Sequence, residues 1–325
     1  MSRHIVFGTG QVGRLLTEQL VALGHDVAAV NRSGRGAVPG ADLVAGDATD
    51  PAFTTRVTHG AEAVYFCLNA TNYDRWPEQF PPLQRAVLAG AESAGARLMV
   101  LDNLYAYGPV GGRDLVETMQ ARPASAKAAT RAAMTDELLA AHRACRVEVA
   151  IGRASDYFGP GATQSALGAN VFGAALTGGT AQVMGNPELP HSYSYTPDVA
   201  AGLVILGTRP GATGQVWHLP VAQARSTRQI IDHVYGLAGH RPRSLVAGRA
   251  VLRLVGLMKP AMREYRHTLY QFTDRWVVDD GKFRTAFGDH RTPLDTALAA
   301  TLRWYRDGAT RTLGRPLRDA RPGRP

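Results

Sequence analysis

Cysteine is almost missing from this chain: Cys67 and Cys145 are the only two among 325 residues. Two isolated thiols cannot form a disulfide framework or a thiolate zinc site. No spacing of His, Cys, Asp and Glu suits a metal, and no Gly-x-Ser-x-Gly elbow or other hydrolase triad pattern is present. Long apolar runs are missing as well. Segments such as Val251 to Met258 fall well short of the roughly 20 residues that cross a bilayer, so no membrane partner is expected. No stretch before the first strand has the make-up of a signal peptide, and the expectation is a soluble, cytoplasmic protein. Lysine is scarce too, at Lys127, Lys259 and Lys282 alone, so arginine carries most of the formal charge of +9. That charge is not gathered into a motif that reads nucleic acid. Much of it falls between Arg303 and Arg324, with Gly and Pro interspersed, and residues 305–325 read as a basic, disordered tail. The basicity suits an anionic cofactor and an anionic substrate.

Glycine is plentiful, and three glycines near the N-terminus organise the chain. Ile5-Val6-Phe7 reads as a buried strand and is followed by Gly8, Gly10 and Gly13. Val12, Leu15, Leu16, Leu20 and Leu23 then recur at helical spacing, Gly24 ends the helix, and Val27 to Val30 reads as a second strand. Strand, glycine turn, helix and strand within about 30 residues is the setting in which G-x-G-x-x-G binds a dinucleotide. One glycine permits the tight turn, one lets the backbone approach a pyrophosphate, and one lets helix and strand pack closely. The free N–H groups and positive end of the helix face the anion. Gly8, Thr9, Gly10, Gln11, Val12 and Gly13 are therefore expected to hold a cofactor.

The end of the second strand bears on which cofactor. A carboxylate there would accept hydrogen bonds from the ribose of NAD. This chain instead has Asn31, Arg32 and Ser33, with Arg35 slightly further on. A guanidinium is permanently charged and binds a 2′-phosphate bidentately, so NADP(H) is expected over NAD(H).

Strand and helix go on alternating. Asp42 to Ala45, Ala63 to Leu68, Arg97 to Asp102 and Arg146 to Arg153 read as strands three to six. Helices are expected from the Pro81-Pro82 stretch to about Ala94 and from Ala126 to His142. Repeated βα units imply a doubly wound parallel sheet, an α/β Rossmann fold, with the site along the strand C-termini. Asp47 and Ala48 after strand three, and Leu68, Asn69 and Ala70 after strand four, are expected to border the cofactor. Beyond Ser155 the alternation fades. Ser226 to Gln229 reads as a capping box and Thr292-Pro293 as a helix start. The expected organisation is a dinucleotide-binding domain over residues 1–157, to which segments near 191–219 return. A smaller substrate-binding lobe occupies 158–304, and the basic tail follows.

Four motifs carry a family resemblance. Gly8 to Gly13 is similar to a TGxxGxxG turn, Leu104-Tyr105-Ala106-Tyr107-Gly108 to a segment ending in Val-Tyr-Gly after strand five, Arg153 to Gly161 to an R-x-x-x-x-Y/F-G-P-G segment, and Tyr195 to Ala200 to a later Asp-Val-Ala segment. Through these the chain resembles the short-chain dehydrogenase/reductase superfamily, in its extended and atypical, NAD-dependent epimerase/dehydratase-like branches. The resemblance implies a nicotinamide cofactor, further contacts from Arg153 and Ala154, and a homodimer formed through the helices after strands four and five. It also implies a Ser or Thr after strand five and a Tyr-x-x-x-Lys on the next helix. Here Asn103 stands at the first position, Lys127 at the lysine, and Pro123 four residues before it. The family's tyrosine is thus missing. Tyr105 or Tyr157 is expected to replace it as proton relay, with Lys127 placing the ribose. Tyr107, Met119, Phe158, His191, Tyr193 and Tyr195 are expected to face a small-molecule substrate. The leading expectation is an NADP(H)-dependent atypical oxidoreductase. A sugar-nucleotide epimerase or dehydratase and a non-catalytic NADP-binding sensor are the alternatives.

Overall fold

The structure, a computed structural model, describes residues 1–70, 72, 75–247 and 267–313. The Val251 to Met258 run and the arginines beyond residue 313 lie outside the described residues. Strands β1 (Arg3–Phe7), β2 (Asp26–Asn31), β3 (Asp42–Ala45), β4 (Ala63–Phe66), β5 (Arg97–Asp102) and β6 (Val149–Arg153) form one parallel sheet in the order β6-β5-β4-β1-β2-β3. A seventh strand, Gln215–His218, pairs parallel to β6 and completes it. The β1-β4 junction is the switch point, where an open α/β sheet has its binding crevice.

Alternation along the strands divides the core. Ile5 and Phe7 of β1 join Val64, Phe66, Leu98, Val100 and Ile151 on one face. Val6 joins Tyr65, Met99 and Ala150 on the other. The first face is covered by helices α2 (Pro51–Thr58), α3 (Trp76–Ala94) and α4 (Ala126–Arg143). The second is covered by α1 (Gln11–Ala22) and by the helix Thr196–Thr208, whose Val199, Leu203 and Leu206 are buried against Leu16 and Leu20. Both faces are thus closed, as a parallel sheet requires.

Helix α3 begins earlier than its prolines suggest, at Trp76, and carries Pro81 and Pro82 inside. Trp76 and Phe80 bury one face of this first stretch, while Pro82 lies exposed. The carbonyls that lose their helical donors belong to Pro77 and Glu78, both exposed, where water can take the missing bonds. The capping box at Ser226 and Gln229 is formed and opens the helix Thr227–Ala238. Helix Leu294–Leu313 carries nine residues of the expected tail, from 305 to 313, in regular helix.

A separate apolar cluster forms the lobe, with Phe158, Phe172, Tyr193, Ile231, Val234 and Leu298 at its centre. Two short strands, Asp156–Phe158 and Tyr193–Tyr195, pair parallel and join the end of β6 to this lobe. Asp198, from the Asp-Val-Ala segment, accepts from Thr292 N at 2.8 Å and Thr292 Oγ1 at 2.6 Å. That carboxylate pins the start of the last helix.

Candidate functional site

The glycine turn is built by close approach of backbone. Gly8 has φ +103°, and a Cβ there would lie 2.6 Å from the Cys67 carbonyl oxygen. A Cβ on Gly13 would meet the Gly8 carbonyl oxygen at 1.9 Å. These two glycines are demanded by the fold itself. Gly10 differs: a Cβ there would find nothing within 4 Å. It caps α1 with extended backbone, no side chain caps that helix, and no acidic residue stands in its first turn. The first N–H groups of α1 thus open onto a bare concave turn, which fits the diphosphate of a dinucleotide. A side chain at Gly161 would touch Gln11 at 3.7 Å, so the loop after β6 passes beside this turn.

Asn31 closes the loop at the end of β2. Its Nδ2 donates to Thr9 Oγ1 at 2.8 Å and to the Arg35 carbonyl at 2.9 Å. Its Oδ1 accepts from Gly34 N at 2.7 Å and Ser33 Oγ at 3.2 Å. Arg32 is exposed beside this loop. The Asp47 carboxyl is held low by hydrogen bonds from Thr49, with the Arg32 charge adding to the effect. Ala48 and Ala70 are buried, Leu68 is half-buried, and Asn69 is exposed at the end of β4.

Under the other half of the edge lies a buried charge cluster. Asp102, the last residue of β5, accepts from Arg131 Nε at 2.6 Å and Arg153 Nε at 2.9 Å, and all three are buried. Burial pushes the Asp102 carboxyl up, but the two guanidiniums outweigh it and hold the group below the usual carboxylate range. Arg153, expected at the cofactor, has its guanidinium engaged here, with Cζ 4.7 Å from the Tyr107 ring centroid. Ala154 beside it is buried in the sheet core. The Tyr107 hydroxyl lies 2.9 Å from His218 Nε2, and His218 Nδ1 lies 2.9 Å from the Asp279 carbonyl. Burial lowers the His218 pKa. The neutral ring must then carry its proton on Nδ1, so Tyr107 donates to Nε2.

Lys127 is buried in the first turn of α4, its Nζ 5.9 Å from the Trp76 ring centroid, and Trp76 stacks on Tyr105 at 6.0 Å. Lysine, tryptophan and tyrosine are thereby brought together at the ends of β4 and β5. Asn103 Oδ1 accepts from Tyr105 N at 3.0 Å, which turns that side chain into its own loop. Tyr157 shares an apolar cluster with Cys67. Burial raises the Tyr157 pKa above the ordinary phenol range and pushes the Cys67 thiol up to about 12.

The residues expected at a substrate separate. Phe158 and Tyr195 pack together inside the lobe at 5.3 Å, and Tyr193, also buried, bonds Thr227 at 2.8 Å. These three belong to packing of the lobe. His191 is buried with Nε2 2.9 Å from Asp156 Oδ2 and Nδ1 3.0 Å from the Gln271 carbonyl, so it ties the lobe together. Tyr107 and Met119 line a cavity beside the site. Sequence reasoning missed Asp102, Arg131, Trp76 and His218. One signal was available: Lys127, Arg131 and Thr135 recur every four residues along one face of α4, and Thr135 also meets Asp102 at 3.4 Å. Among the described residues no group of His, Cys, Asp and Glu is placed to hold a metal, and no helix is long and apolar enough to cross a membrane.

Solved structures with this architecture include a dTDP-glucose 4,6-dehydratase of Streptomyces venezuelae with NAD bound, 21% identical, covering 95% of this chain and 98% of that one at a TM-score of 0.77. A putative epimerase of Burkholderia cenocepacia is 22% identical over 94% of this chain and 98% of that one, TM-score 0.76. A UDP-glucose 4-epimerase of Thermotoga maritima with UDP-glucose is 17% identical over 94% and 99%, TM-score 0.77. At such identities the likeness is one of fold. No curated protein matches the sequence. The profile of the NAD dependent epimerase/dehydratase family matches residues 5–219, strand β1 through the seventh strand and just beyond. With its glycine turn, sheet order and matched length, the chain belongs to the NAD-dependent epimerase/dehydratase family.

Proposed function

We propose that the chain is an NADP(H)-dependent reductase of a small or medium organic carbonyl compound, working without a tyrosine four residues before Lys127. The observation that carries this reading is the meeting of buried Lys127 with Trp76 and Tyr105 at the ends of β4 and β5, with Pro123 where a base would stand. Tyr157, packed in the same cluster as Cys67, is a phenol that keeps its proton across the neutral range, since burial raises its pKa further. It can hydrogen-bond a carbonyl and give up a proton as an alkoxide develops, but it is a poor base toward an alcohol. When bound, the nicotinamide supplies the hydride. Lys127, buried beside Trp76 and Tyr105, would hold the nicotinamide ribose. Gly8 to Gly13 and the open end of α1 would hold the diphosphate. Arg32, Ser33 and Arg35 would receive the 2′-phosphate, in a loop that Asn31 shapes and that carries no carboxylate at its first position.

A second reading, sugar-nucleotide epimerase or dehydratase, has the family match and the fold of the UDP-glucose 4-epimerase in its favour. It requires hydride removal from an unactivated alcohol, hence a base, which Pro123 does not supply. Sugar nucleotide co-purifying with the protein would restore it.

The test is to titrate NADPH and NADH while following nicotinamide fluorescence, then to add a panel of carbonyl and enone compounds. Tight NADPH binding followed by signal decay, slowed in Tyr157→Phe and Lys127→Ala, is the expected result. Tight binding with no decay under any compound would overturn the reductase and leave a cofactor-sensing protein.

A further inference from the structure

The segment following β5 folds back beside the site and borders an open cavity of about 130 Å³, lined by Tyr107, Val110, Arg113, Met119, Gln120 and Arg122 among others. It is held there by backbone. Leu115 N donates to the Val277 carbonyl at 2.8 Å, Asp279 N donates to the Leu115 carbonyl at 2.9 Å, and Arg122 N donates to the Ala106 carbonyl at 2.9 Å. Two guanidiniums border this small space. Arg113 Nε donates to the Val110 carbonyl at 3.1 Å, and among the described residues neither Arg113 nor Arg122 has a carboxylate partner. The acidic side chains of the segment are used elsewhere. Asp114 pairs with Arg275, and Glu117 accepts from His218 N at 2.8 Å. At the back, the Tyr107 hydroxyl donates a hydrogen bond to His218 Nε2. What remains facing the cavity is cationic, with an apolar wall from Val110 and Met119.

We propose that this cavity is an anion subsite, in which Arg113 and Arg122 receive the carboxylate or phosphate of the substrate. As a substrate site the inference rests on the reductase reading, because the cavity is joined to the candidate site through Tyr107, which lines it and shares one short turn with Tyr105. Two guanidiniums present paired N–H donors that match the oxygens of either anion, and the cavity has room for such a group with a short carbon chain behind it. The apolar wall would take that chain. Proteins with an overall positive field draw such substrates in, and this chain carries +9.

The test uses the full chain saturated with NADPH, so that the cofactor's own anion sites are filled, and titrates inorganic phosphate and malonate by calorimetry. One-site saturable binding of at least one probe is expected, weakened at least about tenfold in both Arg113→Gln and Arg122→Gln. NADPH affinity and melting midpoint should stay unchanged in the two variants, since both side chains are exposed. Tighter phosphate points to a phosphorylated substrate and tighter malonate to a carboxylate. Absence of saturable binding, or equal binding in the variants, overturns the subsite. If NADPH itself does not bind, the reductase reading falls. The same two variants, compared in the cofactor-free chain, still decide the subsite.

Discussion

The two halves of the sheet edge are made by opposite means. At the β1–β2 end, site geometry comes from what is left out: no Cβ on Gly8, Gly10 or Gly13, no capping side chain on α1. At the β5–β6 end it comes from large side chains brought from afar. Asp102 is 29 residues from Arg131 and 51 from Arg153, and Tyr107 is 111 from His218. The first half is a local arrangement of backbone, and the second is a network that exists only once the sheet is assembled. They should therefore fail in different ways: backbone changes in the first half act on binding or on local fit, whereas single deletions in the second strand buried charges.

The largest effect should come from Asp102→Ala. It leaves two buried guanidiniums without their carboxylate, and breaking a buried pair from one side costs about 3–5 kcal/mol. Urea denaturation should show that loss. A loss under about 1 kcal/mol would mean that Arg131 and Arg153 find water or other acceptors, and the contrast between the halves would disappear.

Acid should separate the halves next. His4 on β1 is buried, with Nε2 2.8 Å from Ser2 Oγ, Nδ1 3.1 Å from the Tyr65 hydroxyl, and its ring 4.2 Å from His25. Burial, helped by the charge of His25, lowers its pKa to about 4. The unfolded chain takes up this proton near pH 6.5 and the folded chain only near 4. Stability is therefore full above about 6.5, falls as pH drops through that window, and is flat again below about 4, for a loss of about 3 kcal/mol. His218, lowered by burial too, acts in the same direction. Denaturation midpoints measured from pH 7.5 to 4 should flatten by that amount in His4→Gln, leaving the share of His218. The carboxyl of Asp102, already held low, enters only at more acid pH.

The same contrast explains what could be read before the fold was known. The glycine turn with its flanking strands, within residues 3–31, and the capping box at Ser226 are local patterns, and both form as read. Strand ends were less legible. The expected sixth strand from Arg146 begins at Val149, because Cys145 turns with φ 55° and Arg146 N bonds back to the Ala141 carbonyl. The prolines of α3 looked like a boundary although they lie inside the helix. The substrate side was least legible. Phe158, Tyr193 and Tyr195 are polar-tipped or aromatic, as pocket walls are, and only the packing of the lobe shows them to be core. Nothing in sequence marks which arginine will find Asp102, since such pairing is decided by helix placement.

A smaller effect isolates binding from folding within the glycine turn. Gly10→Ala meets no atom within 4 Å and keeps an allowed φ of −74°. Its cost to stability should stay within about 1 kcal/mol. NADPH affinity should nevertheless fall about 10- to 100-fold, roughly 1.4–2.8 kcal/mol, because the methyl group occupies the approach to the helix end. Gly13→Ala, whose Cβ would lie 1.9 Å from a carbonyl oxygen, should instead damage the fold. If Gly10→Ala binds NADPH as well as the parent chain does, the open turn is not the diphosphate seat.

The smallest effect concerns cofactor choice and sits on the surface. Arg32→Ala should weaken NADPH about tenfold, near 1.4 kcal/mol, and leave NADH unchanged, as judged by fluorescence titration at low salt. High salt should shrink the difference, since an exposed guanidinium is screened. NADH binding better than NADPH in the parent chain would refute the NADP preference outright. The usual converse variant, a carboxylate at position 31, gives no clean answer here. Asn31→Asp removes both Nδ2 donors, to Thr9 Oγ1 and to the Arg35 carbonyl, and so would loosen the very loop that presents Arg32 and Arg35. Loss of NADPH binding in that variant reports on the loop as much as on the charge, which is why Arg32→Ala is the sharper probe.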